Sequence, residues 1–242
     1  MNGRFSRSAI LYGADSSEAF ARARVAVCGV GAVGSFALEA LARVGVGNFL
    51  LADFDAVEES NINRQLCALS GTLGEKKTRV MRERVLDINP QARVDIFDAY
   101  IDSGNVGEIV AWKPDAVVDA IDSVESKCAL LIACADSGIA AVSSMGAARR
   151  KNPLAVRTGD IFDTFGCPLA SRVRRGLRAA GVPRGAVTCA FSVEIPAEGS
   201  HVSCAGGGRK KVVGSTPVVT GTFGLVLADL AISAILGKLA GG

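Results

Sequence analysis

The chain has 242 residues, 49% of them hydrophobic and 21% charged, with 28 glycines, seven cysteines and one histidine; that is enough apolar side chain for an unstapled core, which excludes global disorder. The cysteines are odd in number and scattered, with no C-x-x-C pair and no signal peptide, which argues against a disulfide scaffold and a closed zinc site and for a reduced, cytoplasmic chain. The net charge of +3 divides into −3 over residues 1–121 and +6 over 122–242, where Arg149-Arg150-Lys151, the group Arg172, Arg174, Arg175, Arg178 and Arg184, and Arg209-Lys210-Lys211 point to an anionic partner.

In chain order, residues 24–28 form a short β-rich run, followed by the loop Gly29-x-Gly31-x-x-Gly34 and a helical pattern over 35–45. A second strand over 48–53 ends in Asp53, 19 residues past the third glycine. After a polar stretch, residues 75–88 read as a helix stopped by Asn89-Pro90, 93–99 as an alternating strand, 115–120 as a strand behind Pro114, 124–137 as a helix and 139–143 as a strand. Strands separated by helices of this length predict an α/β, Rossmann-like fold with a largely parallel sheet in the first half, extended by C-terminal strands and helices. There, 154–158 and 187–194 are expected strands flanking a basic helix over 168–180, with a Gly-rich basic segment after them and His201 in a solvated loop. The last segment, 216–239, is apolar apart from Gly221, Gly224, Asp229 and Lys238. It has the length of a membrane helix. The charge near its middle, and a sheet that needs a cover, predict a buried helix and no stable membrane association.

The glycine loop allows phosphate oxygens to approach backbone N–H groups, and Asp53 is placed to accept hydrogen bonds from a ribose. Both features suit NAD as well as ATP. Past Asp53 the chain reads Asp53-Phe54-Asp55, then Ser60-Asn61-Ile62-Asn63-Arg64-Gln65, and Lys77 follows Arg64 by thirteen residues at a helix start. Two cations aimed back at the loop suit a triphosphate, whose charge they neutralise as pyrophosphate departs. A redox dinucleotide has less use for them. Asp122, in Asp119-Ala120-Ile121-Asp122-Ser123, falls just past a strand on the edge where open α/β sheets bind ligands, in reach of a phosphate-bound Mg²⁺.

This motif set resembles the ThiF/MoeB/ubiquitin-activating superfamily, whose members adenylate carboxylates. The resemblance implies one adenylating domain over 1–242, with a nucleotide-binding half (1–145) and a substrate and dimer half (146–242). It implies ATP and Mg²⁺ as cofactors, and binding residues Gly29, Gly31, Gly34, Asp53, Asp55, Ser60, Asn61, Asn63, Arg64, Lys77, Asp122 and Ser123. Among these Asp53 holds the ribose, Asn61, Arg64 and Lys77 contact phosphates and Asp122 binds Mg²⁺. Arg4-Phe5-Ser6-Arg7 is similar to an element whose second arginine reaches into the neighbouring subunit's site, so Arg7 joins Arg64, Lys77 and Asp122 as a catalytic candidate and a homodimer is expected. The single histidine agrees with this chemistry, because a carboxylate with a pKa of about 4 needs no general base.

The two C-x-x-C pairs usual in the sulfur-carrier-activating branch are absent. Leu11-Tyr12-Gly13, residues 41–47, Ile88-Asn89-Pro90, residues 119–124, residues 189–194 and Thr222-Phe223-Gly224 are instead similar to the branch that acts on tRNA. That resemblance implies ATP-dependent cyclisation, a net dehydration, of N6-threonylcarbamoyladenosine at tRNA position 37 through an acyl-adenylate, with tRNA as partner and a cysteine-desulfurase or sulfur-acceptor system as a further one. The alternative is an adenylyltransferase for the C-terminal Gly-Gly of a ubiquitin-like sulfur carrier. Cys189 reads as a small buried residue, since ring closure needs no enzyme nucleophile.

Overall fold

A computed structural model describes residues 3–198, 201–203 and 211–240. Helices α1 (Ser6–Tyr12) and α2 (Ala14–Arg22) precede β1 (Arg24–Cys28), α3 (Gly34–Val44), β2 (Asn48–Ala52), α4 (Lys77–Ile88), β3 (Arg93–Phe97), α5 (Val106–Ala111), β4 (Ala116–Asp119), α6 (Val124–Asp136) and β5 (Ala140–Ser144). Then come β6 (Val156–Asp160), α7 (Pro168–Ala179), β7 (Val187–Ser192), β8 (His201–Ser203), β9 (Lys211–Val213) and α8 (Pro217–Ala240). Seven strands form one sheet in the order β3-β2-β1-β4-β5-β7-β6, parallel throughout except for edge strand β6, which runs antiparallel to β7. β8 and β9 form a separate antiparallel pair. The α/β, largely parallel architecture is the one the sequence predicts.

The central strands are continuous apolar runs because both faces of the sheet are covered. On one face Val25, Val27, Phe49 and Leu51 meet α3 through Leu38 and Leu41, α4 through Met81 and Val85, and α8 through Phe223, Leu227 and Ala231. On the other, Ala26, Cys28, Leu50 and Val117 meet Ile109 of α5, Leu130 and Leu131 of α6, and Val173 and Leu177 of α7. Helix α8 is long and apolar enough to cross a membrane by length and composition, and 56% of its apolar window is buried inside the protein. It lies on α3 so closely that a Cβ on Gly224 would fall 2.4 Å from the carbonyl oxygen of Val33. Asp229 projects outward, away from that contact.

Five elements depart from the sequence reading. Helices α1 and α2 fill a stretch where no element is expected; α1 buries no residue, so it carries no periodic apolar signal. The six-residue α5 is too short to register. Residues 153–155 turn as a 3-10 helix behind Pro153, which moves β6 to 156–160 from the expected 154–158. His201 lies in strand β8 rather than in a loop. Cys204, Arg209 and Lys210 lie outside the described residues.

Strand order reverses between β1 and β4. The loops leaving these strands diverge and open a crevice at their carboxyl ends, where open α/β sheets bind ligands. Gly29, at φ +85°, packs there so tightly that an added Cβ would fall 2.8 Å from the carbonyl oxygen of Ala120. The glycine loop and the Asp122 turn are thereby held together.

Candidate active site

The crevice is a cleft of about 500 Å³ whose lining includes Gly29, Gly31, Asp53, Asp55, Asn61, Arg64, Lys77, Asp122 and Ser123. Nine of the residues singled out by the sequence therefore share one site. Gly34, Ser60 and Asn63 do not line it. Gly34 sits under the loop, where a Cβ would fall 1.8 Å from the Gly29 carbonyl oxygen. Ser60 Oγ donates to Glu58 Oε2 (3.3 Å), and Asn63 Nδ2 donates to the Ser215 carbonyl (3.0 Å), tying this segment to the approach of α8. Arg7 is exposed on α1, which buries none of its residues.

Gly31 differs from the other two loop glycines. A Cβ there meets only the Gln65 side chain, at 3.6 Å or more, an ordinary contact. Its own fold therefore does not demand glycine at 31, whereas a phosphate seated on the loop at the N-terminus of α3 would.

Asp53 anchors the loop from β2. Its Oδ2 accepts from Val30 N and its Oδ1 from Asp55 N, both at 2.9 Å. Burial pushes its carboxyl above the usual range, against the pull of Lys77 and of those two backbone donors. Lys77 opens α4 with a side chain only 6% exposed, and its Nζ donates to Asp55 Oδ2 at 2.7 Å. Arg64 Nη1 donates to the Ser60 carbonyl (2.7 Å) and to Asn63 Oδ1 (2.9 Å). Asn61 is buried and its Oδ1 caps Glu58 N at 3.2 Å, so the loop carrying Arg64 is fixed from within.

Opposite, Asp122 is exposed on the turn after β4, and Ser123 Oγ accepts from Ser126 N as the cap of α6. The turn rests on a fully buried ion pair that sequence spacing did not single out. Lys127 Nζ and Ser143 Oγ each lie 2.6 Å from Asp119 Oδ2, and Asp119 Oδ1 accepts from Ile121 N at 3.1 Å. Gln65, the last residue of the 60–65 motif, also lines the cleft, and Tyr100, the segment 144–148, Leu169 and Thr220, which the sequence reading missed, complete its wall. Tyr100 hydrogen-bonds Ser123 Oγ at 2.8 Å and packs edge-to-face on Phe54, giving the cleft an exposed aromatic wall. The Asp98-to-Tyr100 stretch follows β3 on the same sheet edge, which is the one signal that pointed there.

The structure corrects one basic cluster. Arg149 Nε and Nη2 both reach the Ala197 carbonyl, and Arg150 is buried with Nε on the Gly146 carbonyl at 2.8 Å. Of Arg149-Arg150-Lys151, Lys151 alone is exposed. These arginines brace the cleft wall instead of offering charge to solvent. Cys189 is buried as expected, and burial pushes its thiol up to about 12, which suits packing and not nucleophilic attack.

Comparison with known protein families matches the ThiF family over residues 5–241. The chain belongs to the ThiF family. Within it, the chain is 36% identical to the tRNA threonylcarbamoyladenosine dehydratase of Escherichia coli K12, covering 98% of this chain and 95% of that protein. It is 40% identical to the Bacillus subtilis tRNA threonylcarbamoyladenosine dehydratase over 80% of this chain and 76% of that one. The crystal structure of the Escherichia coli dehydratase in complex with ATP superposes with a TM-score of 0.89 at 35% identity, over 98% of this chain and 95% of that chain. The ThiF fold, with its cleft at the sheet's switch point, thus extends over both halves of the sequence.

Proposed function

We propose that the chain cyclises N6-threonylcarbamoyladenosine at tRNA position 37, with ATP as co-substrate. The carrying observation is that loop glycines, two cations and three carboxylates meet in one cleft of a chain related end to end to a tRNA threonylcarbamoyladenosine dehydratase. The threonine carboxylate oxygen attacks the α-phosphate, pyrophosphate leaves, and an atom of the same modified nucleoside attacks the acyl carbon and expels AMP. Water is lost in net terms, its oxygen passing into AMP.

Each residue has a task in that sequence. Gly29 and Gly31 let the loop amides approach the phosphates, and Asp53 keeps acceptor capacity for the ribose hydroxyls beyond its two backbone donors. Lys77 and Arg64 neutralise charge as pyrophosphate leaves; Asn61, Asn63 and Ser60 hold Arg64 in place. Lys77 rests on Asp55 until a phosphate competes for it. Among the described residues no group of three or more His, Cys, Asp or Glu forms a metal cage. One exposed carboxylate at a triphosphate cleft fits Mg²⁺, which keeps its waters and takes ligands from phosphates. Asp122, with Ser123 beside it, is the residue that would hold the ion, which supplies charge neutralisation of the phosphates. The nucleotide-binding work falls to residues 1–145 and the substrate and dimer work to 146–242, with α1 of the first half adding a dimer contact of its own.

A homodimer in the cytoplasm is part of the same reading. Supporting it, α1 presents Ile10 and Leu11 at 72% and 75% exposure beside exposed Arg7. An uncovered apolar helix face suits a second copy, whose cleft Arg7 would enter. A cysteine-desulfurase or sulfur-acceptor system is a further partner in this reading.

The test is nucleoside mass spectrometry after incubation of the purified chain with ATP, Mg²⁺ and threonylcarbamoylated tRNA. A product lighter by one water supports the reading. An unchanged nucleoside mass, with ATP–pyrophosphate exchange that depends on a Gly-Gly-tailed carrier protein, replaces it with the carrier-activating alternative.

A further inference from the structure

The structure sorts the basic residues of the second half into those already engaged and those left free. Arg149 and Arg150 are bound to carbonyls inside the cleft wall. Arg174 donates to Thr164 Oγ1, and Arg184 pairs with Asp163. Arg172 and Arg175 are exposed and, among the described residues, have neither a hydrogen bond nor an ion-pair partner. Arg178, one further turn along, stacks its guanidinium over Phe162 at 5.4 Å.

These three arginines lie on α7, on the side turned away from buried Ala170, Val173 and Leu177. The helix contains no acid. Its macrodipole accounts for Arg178 in the last turn but not for Arg172 and Arg175, which sit mid-helix. A solvated helix face ordinarily interleaves acids with its bases; this one does not.

Its position relative to the cleft is the second observation. Leu169, in the first turn of α7, lines the cleft, and Cys167 Sγ at the helix cap accepts from Gly146 N of the same wall at 3.3 Å. At about 1.5 Å of rise per residue, Arg172, Arg175 and Arg178 stand roughly 4.5, 9 and 13.5 Å beyond Leu169. A polyanion lying along them is led to the rim of the cleft.

We propose that this outward face of α7 is where the sugar–phosphate backbone of the tRNA docks, with Arg172 and Arg175 each neutralising a phosphate while a base from the same loop enters the cleft. The inference rests on the tRNA-cyclising reading. RNA fits the surface better than an acidic protein because guanidinium groups at regular spacing match phosphates in series, and single-stranded loops are recognised through backbone charge plus an extruded base.

The experiment measures tRNA binding by the full chain and by Arg172→Ala/Arg175→Ala between 50 and 300 mM salt. The double variant is expected to bind tRNA at least tenfold more weakly, with a log–log salt slope shallower by about 1.5 for two lost phosphate contacts. Its melting temperature and ATP affinity should match the parent's, and Arg172→Lys/Arg175→Lys should keep the parental slope. Parental tRNA affinity and slope in the alanine variant, with parent enzyme that still dehydrates the tRNA, overturn the docking face and leave the function standing. A parent that neither binds nor converts tRNA overturns both. Unchanged tRNA binding with lost affinity for an acidic carrier protein overturns the assignment to RNA.

Discussion

Alanine at Gly31 and at Gly34 separates what the loop does for the fold from what it does for a ligand. At Gly34 a Cβ would lie 1.8 Å from the carbonyl oxygen of Gly29 and 2.9 Å from its carbon, both backbone atoms that the tight β1–α3 turn cannot move aside. Overpacking of that kind costs about 3 kcal/mol or more. At about 2–4 °C per kcal/mol for a chain of this size, Gly34→Ala should lower the melting temperature by roughly 6 °C or more. At Gly31 the nearest atom is Gln65 Oε1 at 3.6 Å, so Gly31→Ala should melt within about 2 °C of the parent. Its methyl group nevertheless fills the space through which a phosphate approaches the amides. ATP affinity should fall at least tenfold, about 1.4 kcal/mol or more. Differential scanning fluorimetry and calorimetric titration of ATP read the two quantities on the same samples. Parental ATP affinity in Gly31→Ala would show that phosphates do not sit on this loop, and an undiminished melting temperature in Gly34→Ala would refute the packing argument.

Arg64→Ala and Asp122→Ala should each abolish AMP formation while leaving the melting temperature within about 2 °C, since neither side chain is buried; retained turnover in either would remove it from the catalytic set. Lys127→Met leaves buried Asp119 without its cation, which costs about 3–5 kcal/mol and should lower the melting temperature by about 10 °C, with the loss read independently as an earlier urea midpoint. Glu39 gives a pH prediction. Burial alone raises its carboxyl, but hydrogen bonds from Arg84 and Arg43 outweigh that and hold it below the ordinary 4.5. A lowered folded-state pKa means stability that is complete above 4.5 and is lost as pH falls through the folded value. The melting difference between parent and Glu39→Gln should therefore be full at pH 7 and narrow as the pH is taken down below 4.5; a difference that stays constant or widens on acidification contradicts the assignment.

The parts of this molecule legible in its sequence are those governed by local periodicity or by one continuous motif. Buried strands read as apolar runs, and strand–glycine loop–helix placed β1, α3 and Asp53. Asp53, Lys77 and Asp122 are legible because each follows a strand or opens a helix on one sheet edge, and Arg64, in the turn after the short 3-10 helix Glu59–Asn61, is legible only through the continuous 60–65 motif. What no spacing rule carries is contact across the sheet. Asp119, Lys127 and Ser143 are 8 and 16 residues apart in order and meet only because β4 and β5 are neighbours. The wall of residues 144–148, Leu169 and Thr220 comes from three elements that the topology folds back over the loop. Charge was misread where direction mattered: Arg149 and Arg150 are as basic in sequence as Arg172 and Arg175, but the chain turns them inward onto carbonyls. Helix α1 was invisible because its apolar residues face outward.

Adenylation of a tRNA carboxylate in this cleft would leave one oxygen of that carboxylate on AMP. Threonylcarbamoylated tRNA labelled with ¹⁸O in the threonine carboxylate, turned over with ATP and Mg²⁺, should yield AMP carrying one ¹⁸O and unlabelled pyrophosphate. Unlabelled AMP, or label found in pyrophosphate or free phosphate, would contradict attack by the carboxylate at the α-phosphate.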